Sequence, residues 1–221
     1  MNNSDSFSEA WLPQPECRLL KQMYGIAGDG LQYLYYKRWF SENEQYIQQI
    51  DSGWYTYTVN GYYDLSLRNW CMLFGTYDEP THYHKLLDYT GIKSNLQTIY
   101  LGEEIDKNKL REKLLESMSI SFEDFCAYHK CVVEYRNKYL SHREHHPNQI
   151  KDGDLTYPRL DIARQSLLSI FFILIQILRE YPNTSTKDNK YFCGYKNFNS
   201  IDAIEEYSTK IYPEKLLCIK K

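Results

Sequence analysis

Apolar and polar residues recur along this chain mostly with the period of a helix. From Leu31 to Ile50 the run LQYLYYKRWFSENEQYIQQI has no Gly or Pro and spaces its apolar side chains three and four apart, which predicts a helix. Ahead of it, Pro13 and Pro15 make an extended lead-in, and Gly25, Gly28 and Gly30 are expected to break a first helical segment. The stretch DSGWYTYTVNGYYD alternates and contains Asn60-Gly61, a hairpin signal, but one hairpin among helices would be only marginally stable. It is therefore read as a loop or a helix extension. Leu65 to Phe74 reads as a buried helix stopped by Gly75, Pro80-Thr81 opens a short helix through Leu87, and Asn108 to Ser117 is helical by composition. Ser121 followed by Asp124 resembles a capping box for a helix running from about Phe122 towards Leu140. After the polar loop HHPNQIKDGDLTYP, Tyr157 to Tyr181 forms what should be the longest and most apolar helix, and a short one follows near Ile201 to Tyr207. No internal repeat or low-complexity segment is visible. The expected fold is all-α, a bundle of five to seven helices, with a lead-in over 1–29, a helical domain over 30–181 and a C-terminal extension over 182–221.

Composition narrows the function classes. The 221 residues suffice for one full core. With 26 Lys plus Arg against 29 Asp plus Glu, the net charge of -3 excludes a generally basic nucleic-acid coat, so any nucleic-acid contact must use a local patch. The 22 Tyr permit an RNA-stacking surface, although biased use of Tyr, Asn and Lys is the better account of them. Six cysteines form no CxxC pair, and the polar, acidic MNNSDSFSEA is no secretory signal, so a cytoplasmic protein with reduced thiols is expected. Leu167 to Leu178 is too short to cross a bilayer and reads as a buried core helix, with no membrane partner.

The helix from Phe122 is where chemistry is expected. At about 100° per residue, Phe122, Phe125, Cys126, Val132, Val133 and Leu140 fall on one stripe, together with His129, Arg136 and Asn137. Polar side chains on a buried face are expensive unless paired or used. The bland alternative is an Arg136 that salt-bridges an acidic partner while Asn137 bonds nearby backbone.

The run EYRNKYLSHRE resembles the R-x(4-6)-H signature of HEPN domains, all-helical nucleotide-binding or ribonuclease modules. LSLRNWCMLFG, DEPTHYHKLL and FEDFCAYHKCVVEYRNKY are similar to segments of the subgroup akin to abortive-infection proteins, and the resemblance covers roughly residues 30–180. It implies Arg136 and His142 as the catalytic pair and Asn137 as the polar residue that often follows the Arg. It further implies a metal-independent endoribonuclease of a toxin-antitoxin or antiphage system, with RNA as substrate, a composite site across a homodimer, and an antitoxin or defence-system protein as partner. Some members are instead inactive binding modules.

The residue types suit that chemistry. An RNA's own 2′-hydroxyl can attack the adjacent phosphorus, a His near neutral pKa can move the proton, and an Arg fork can hold phosphate oxygens as charge develops. Six residues separate Arg136 from His142, about 240° on a continuous α-helix, so a shared site requires a bend near Ser141 or a second chain. Lys138 and Arg143 could hold RNA phosphates, although Glu134 and Glu144 dilute that charge. His142, His145 and His146, the pair His82 and His84, and Cys126 with His129 offer no recognised four-ligand spacing. No metal and no cofactor is expected, and these histidines read as solvated loop residues. There is no P-loop, GxGxxG, GxSxG or HExxH motif.

Overall fold

The computed structural model describes residues 15–47, 49, 51–141, 157–180 and 200–217. Among these the chain is all-helical, with eight α-helices and no strand. They are α1 (Pro15–Glu42), the short α2 (Glu44–Ile47), α3 (Ser52–Phe74), α4 (Thr90–Ile99), α5 (Lys107–Met118), α6 (Phe122–Tyr135), α7 (Leu160–Glu180) and α8 (Ile201–Leu217). A 3₁₀ segment spans Tyr83–Asp88, and a π-helical segment, Arg136–Ser141, continues α6.

Helix α7 is apolar on nearly every side, as a helix enclosed by others must be. Ala163, Leu167, Leu168, Ile170, Phe171, Leu174 and Ile177 are all buried, and α1, α3, α4, α5 and α8 pack around it. Leu160–Arg179 is long and apolar enough to span a bilayer by length and composition, with mean hydropathy 1.6, so the length argument drawn from Leu167 to Leu178 alone does not apply to the whole helix. Its side chains are nonetheless spent on the bundle core. The Trp70 indole ties three helices together, stacked on Phe74 and edge-on to Tyr128 while its Nε1–H donates to Ser166 Oγ at 2.7 Å.

Three expectations are corrected. Gly25, Gly28 and Gly30 do not break the first helix; α1 runs through them for 28 residues, longer than α7 with its 21. Gly30 is there for close approach, since a Cβ would sit 3.0 Å from Leu167 Cδ1 and 3.3 Å from Asn69 Cβ. Residues 15–29 are thus no lead-in: Leu20, Met23 and Ala27 are fully buried in the core. For the Tyr-rich segment the helix extension holds rather than the loop: it is the first half of α3, capped by Asp51, whose Oδ1 accepts the Trp54 N–H at 2.9 Å. Its ring spacing is helical, so Tyr62 meets Tyr36 and Phe40 of α1 at 5.3 and 5.7 Å. Finally, the C-terminal helix is 17 residues long, and its Ile204 joins the core.

Candidate functional site

Helix α6 begins as its cap requires: Ser121 Oγ accepts the Asp124 N–H at 3.0 Å. Its buried residues are Phe125, Tyr128, Val132 and Tyr135. That face is rotated by roughly a quarter turn from the stripe drawn through Phe122 and Cys126, both of which are exposed. Tyrosines supply the difference, because the rings of Tyr128 and Tyr135 are buried. The Tyr135 hydroxyl donates to Asp64 Oδ1 at 2.9 Å and so fixes the end of α6 against α3. Burial and the Asp64 carboxylate together hold the Tyr135 phenol well above its ordinary range.

The rotation leaves His129 and Arg136 at the edge of the buried face, where both meet the turn after α3. Gly75 ends α3 with its N–H donating to Cys71 O at 2.8 Å. Two tight turns follow, Glu79 N–H to Thr76 O and His82 N–H to Glu79 O, each at 3.0 Å. Thr81 Oγ1 donates back to Met72 O at 2.9 Å. The segment 75–82 is therefore pinned at both ends. His129 Nε2 lies 2.8 Å from Gly75 O, and a carbonyl partner places the proton on Nε2. Arg136 Nη1 donates to Glu79 Oε1 at 3.3 Å, and its Nε donates to Asn137 Oδ1 at 3.1 Å.

Arg136 is thus oriented from two sides, with 19% of its side chain exposed against 33% for Glu79. Burial pushes the Cys71 thiol beside it up to about 12, with the Arg136 charge opposing, so that sulfur stays a thiol. Asn137 is exposed and bonds the Arg136 side chain rather than backbone. Lys138 Nζ pairs with Glu134 Oε1 at 2.5 Å, the surface pairing weighed against phosphate binding. His129, Asn137 and Lys138 line an open cleft of ≈ 590 Å³ beside the α6–π junction. His142 and Arg143 lie outside the described residues, as do His145 and His146. Tyr157, the next described residue after Ser141, has its ring 5.9 Å from that of Tyr135.

The π-helical geometry of Arg136–Ser141 replaces the continuous α-helix assumed for the 240° offset, and such bulges concentrate at functional sites. Sequence reasoning missed Glu79. Its signal was weak, an acid placed soon after a helix-stopping glycine.

His82 and His84 are not solvated loop histidines. His82 is 6% exposed, and its Nδ1 accepts the His84 N–H at 3.3 Å. Burial first, then His84, His129, Lys85 and Lys107, pushes His82 down to about 3; burial, then Lys107 and Arg111, brings His84 to about 4. Among the described residues, no three His, Cys, Asp or Glu side chains are grouped closely enough to hold a metal ion.

Acid sensitivity follows from the histidine pair. A depressed histidine pKa means that the unfolded chain binds more protons, so stability is complete above about pH 6.5 and falls as pH drops towards 4. Full linkage is about 1.4 kcal/mol per pH unit for each group. Discounting by half for solvent screening leaves a loss of roughly 2 kcal/mol between pH 6.5 and 5. Urea unfolding at pH 7 and pH 5 measures it, and His82→Gln should flatten the difference. An unchanged midpoint would show that neither histidine is held neutral.

No protein-family model, curated protein or solved structure matches this chain.

Proposed function

We propose that the chain is a metal-independent HEPN-type endoribonuclease of a toxin-antitoxin or antiphage system, acting in the cytoplasm as a homodimer. The observation that carries this reading is Arg136, placed at the head of a π-helical turn and clamped by Glu79 and Asn137, the latter lining an open cleft. A guanidinium held this way is oriented before substrate arrives, which is what stabilising a developing phosphate charge requires. Asn137 positions that group. His142, in this chain or in the partner subunit, moves the proton of the attacking 2′-hydroxyl.

One observation favours a second reading, a non-catalytic HEPN module that binds RNA, nucleotide or a partner such as an antitoxin. The Arg136–Glu79 ion pair already gives the guanidinium a carboxylate, as a purely structural arginine would have. Cleavage chemistry separates the two. Purified protein should cut single-stranded RNA in EDTA, spare DNA, lose rate at acid pH as His142 protonates, and leave 2′,3′-cyclic phosphate and 5′-hydroxyl ends. Products with 5′-phosphate ends, or a chelator-sensitive rate restored by Mg²⁺, would refute the mechanism. Absence of cleavage would leave the binding module.

A further inference from the structure

The segment that brings Glu79 to Arg136 also carries Tyr77, the centre of a cationic cluster that the Arg136 site does not use. The Tyr77 ring is 41% exposed, with Lys85 Nζ 4.1 Å and Lys107 Nζ 4.2 Å from its centroid. Lys107 also donates to the Tyr77 hydroxyl at 2.8 Å. One turn along α5, Arg111 lies over the Phe122 ring at 4.4 Å, and its Nη2 donates to Asn108 Oδ1. Among the described residues, no ion pair joins Lys107 or Arg111 to a carboxylate, and Lys85 reaches only Asp88, at 3.9 Å. The chain as a whole carries 29 acidic against 26 basic side chains, so a cluster of three cations with one carboxylate partner departs from that balance. The two histidines packed against Tyr77, His82 and His84, add no negative charge.

We propose that Tyr77, Lys85 and Lys107 form a subsite for the phosphate backbone of a single-stranded RNA whose neighbouring phosphate reaches Arg136. The proposal rests on the ribonuclease reading and names the path of its substrate. The Tyr77 ring holds the two ammonium groups together at its surface, and paired cations of this kind are what the phosphates of a single strand bind. Continuity supports it too: two residues of chain, at most about 7 Å of backbone, separate Tyr77 from the Glu79 that holds Arg136.

The test is fluorescence anisotropy with the full chain and a labelled 2′-O-methyl oligonucleotide, which lacks the attacking hydroxyl. Lys85→Gln combined with Lys107→Gln should weaken binding and lower the slope of log K against log salt by about 1.4, at roughly 0.7 per lost phosphate contact. Lys107→Gln alone should remove half of that, and exposed Lys210→Gln none. Circular dichroism melts confirm that each variant folds. An unchanged slope in the double variant overturns the proposal, as does an equal loss in Lys210→Gln or a wild-type chain that binds no RNA. So does a double variant that loses only the binding of an acidic peptide. If the wild type binds RNA through these lysines but cuts none, the ribonuclease reading fails and the subsite stands. If the double variant cuts RNA with the wild-type KM, the subsite fails and the ribonuclease reading stands.

Discussion

Arg136→Ala is expected to lower RNA cleavage by about 10²- to 10³-fold, the usual cost of removing one preorganised group that stabilises transition-state charge. Stability should change by less than about 1 kcal/mol, because the ion partner left behind, Glu79, is one-third exposed and can be hydrated. Glu79→Gln separates positioning from charge. It removes a negative group near the substrate, so KM should fall or stay constant, while kcat drops because Arg136 loses its fixed orientation. Mixing tests whether the site is shared between subunits. If Arg136 of one subunit works with His142 of the other, chains carrying Arg136→Ala and chains carrying His142→Ala, each inactive alone, regain about a quarter of wild-type activity. That figure assumes half the dimers are mixed and each mixed dimer holds one intact site. No recovery would place both residues in one chain, and wild-type cleavage by either variant would end the catalytic assignment.

What could be read from sequence was what local chemistry dictates. The stop at Gly75, the cap at Ser121 and the burial of Leu167–Leu178 depend on a few neighbouring residues, and the structure holds them where the pattern put them. Failures came where tertiary contacts decide. Gly30 reads as a break because glycine favours turns, but Leu167 of α7 and Asn69 of α3 leave little room for a Cβ there where α1 approaches. The α6 stripe drawn from the sequence leaves out Tyr128 and Tyr135, whose burial turns the true face away from Phe122 and Cys126. Nothing was anticipated over Thr90–Ile99, whose run TGIKSNLQTI buries only Ile92 and Leu96 and so presents a thin apolar edge.

The candidate site shows the same division. Arg136 and Asn137 were legible as polar residues on a helix with an apolar face. Their partner was not, since Glu79 lies 57 positions earlier and meets Arg136 only through the turn after α3. The buried His82 and half-buried His84 likewise gave no sign of burial in sequence, because the residues packed against them, Tyr77 and Tyr83, are equally at home on a surface.

Gly75→Ala should cost about 3 kcal/mol of stability, the upper end of what overpacking causes. The reason is steric. A Cβ at this position would stand 2.4 Å from the Cys71 carbonyl oxygen and 3.2 Å from its carbon, both backbone atoms that cannot turn aside. Relief requires opening the last turn of α3, which breaks the 2.8 Å hydrogen bond from Gly75 N–H to Cys71 O. The same movement carries Gly75 O away from His129 Nε2 and shifts Glu79 relative to Arg136. Urea unfolding measures the stability loss, and RNA cleavage by the folded fraction measures the second consequence, which should resemble Glu79→Gln in lowering kcat more than it raises KM. If the Ala variant unfolds at the wild-type urea midpoint, the turn after α3 is not the rigid support that places Glu79 against Arg136.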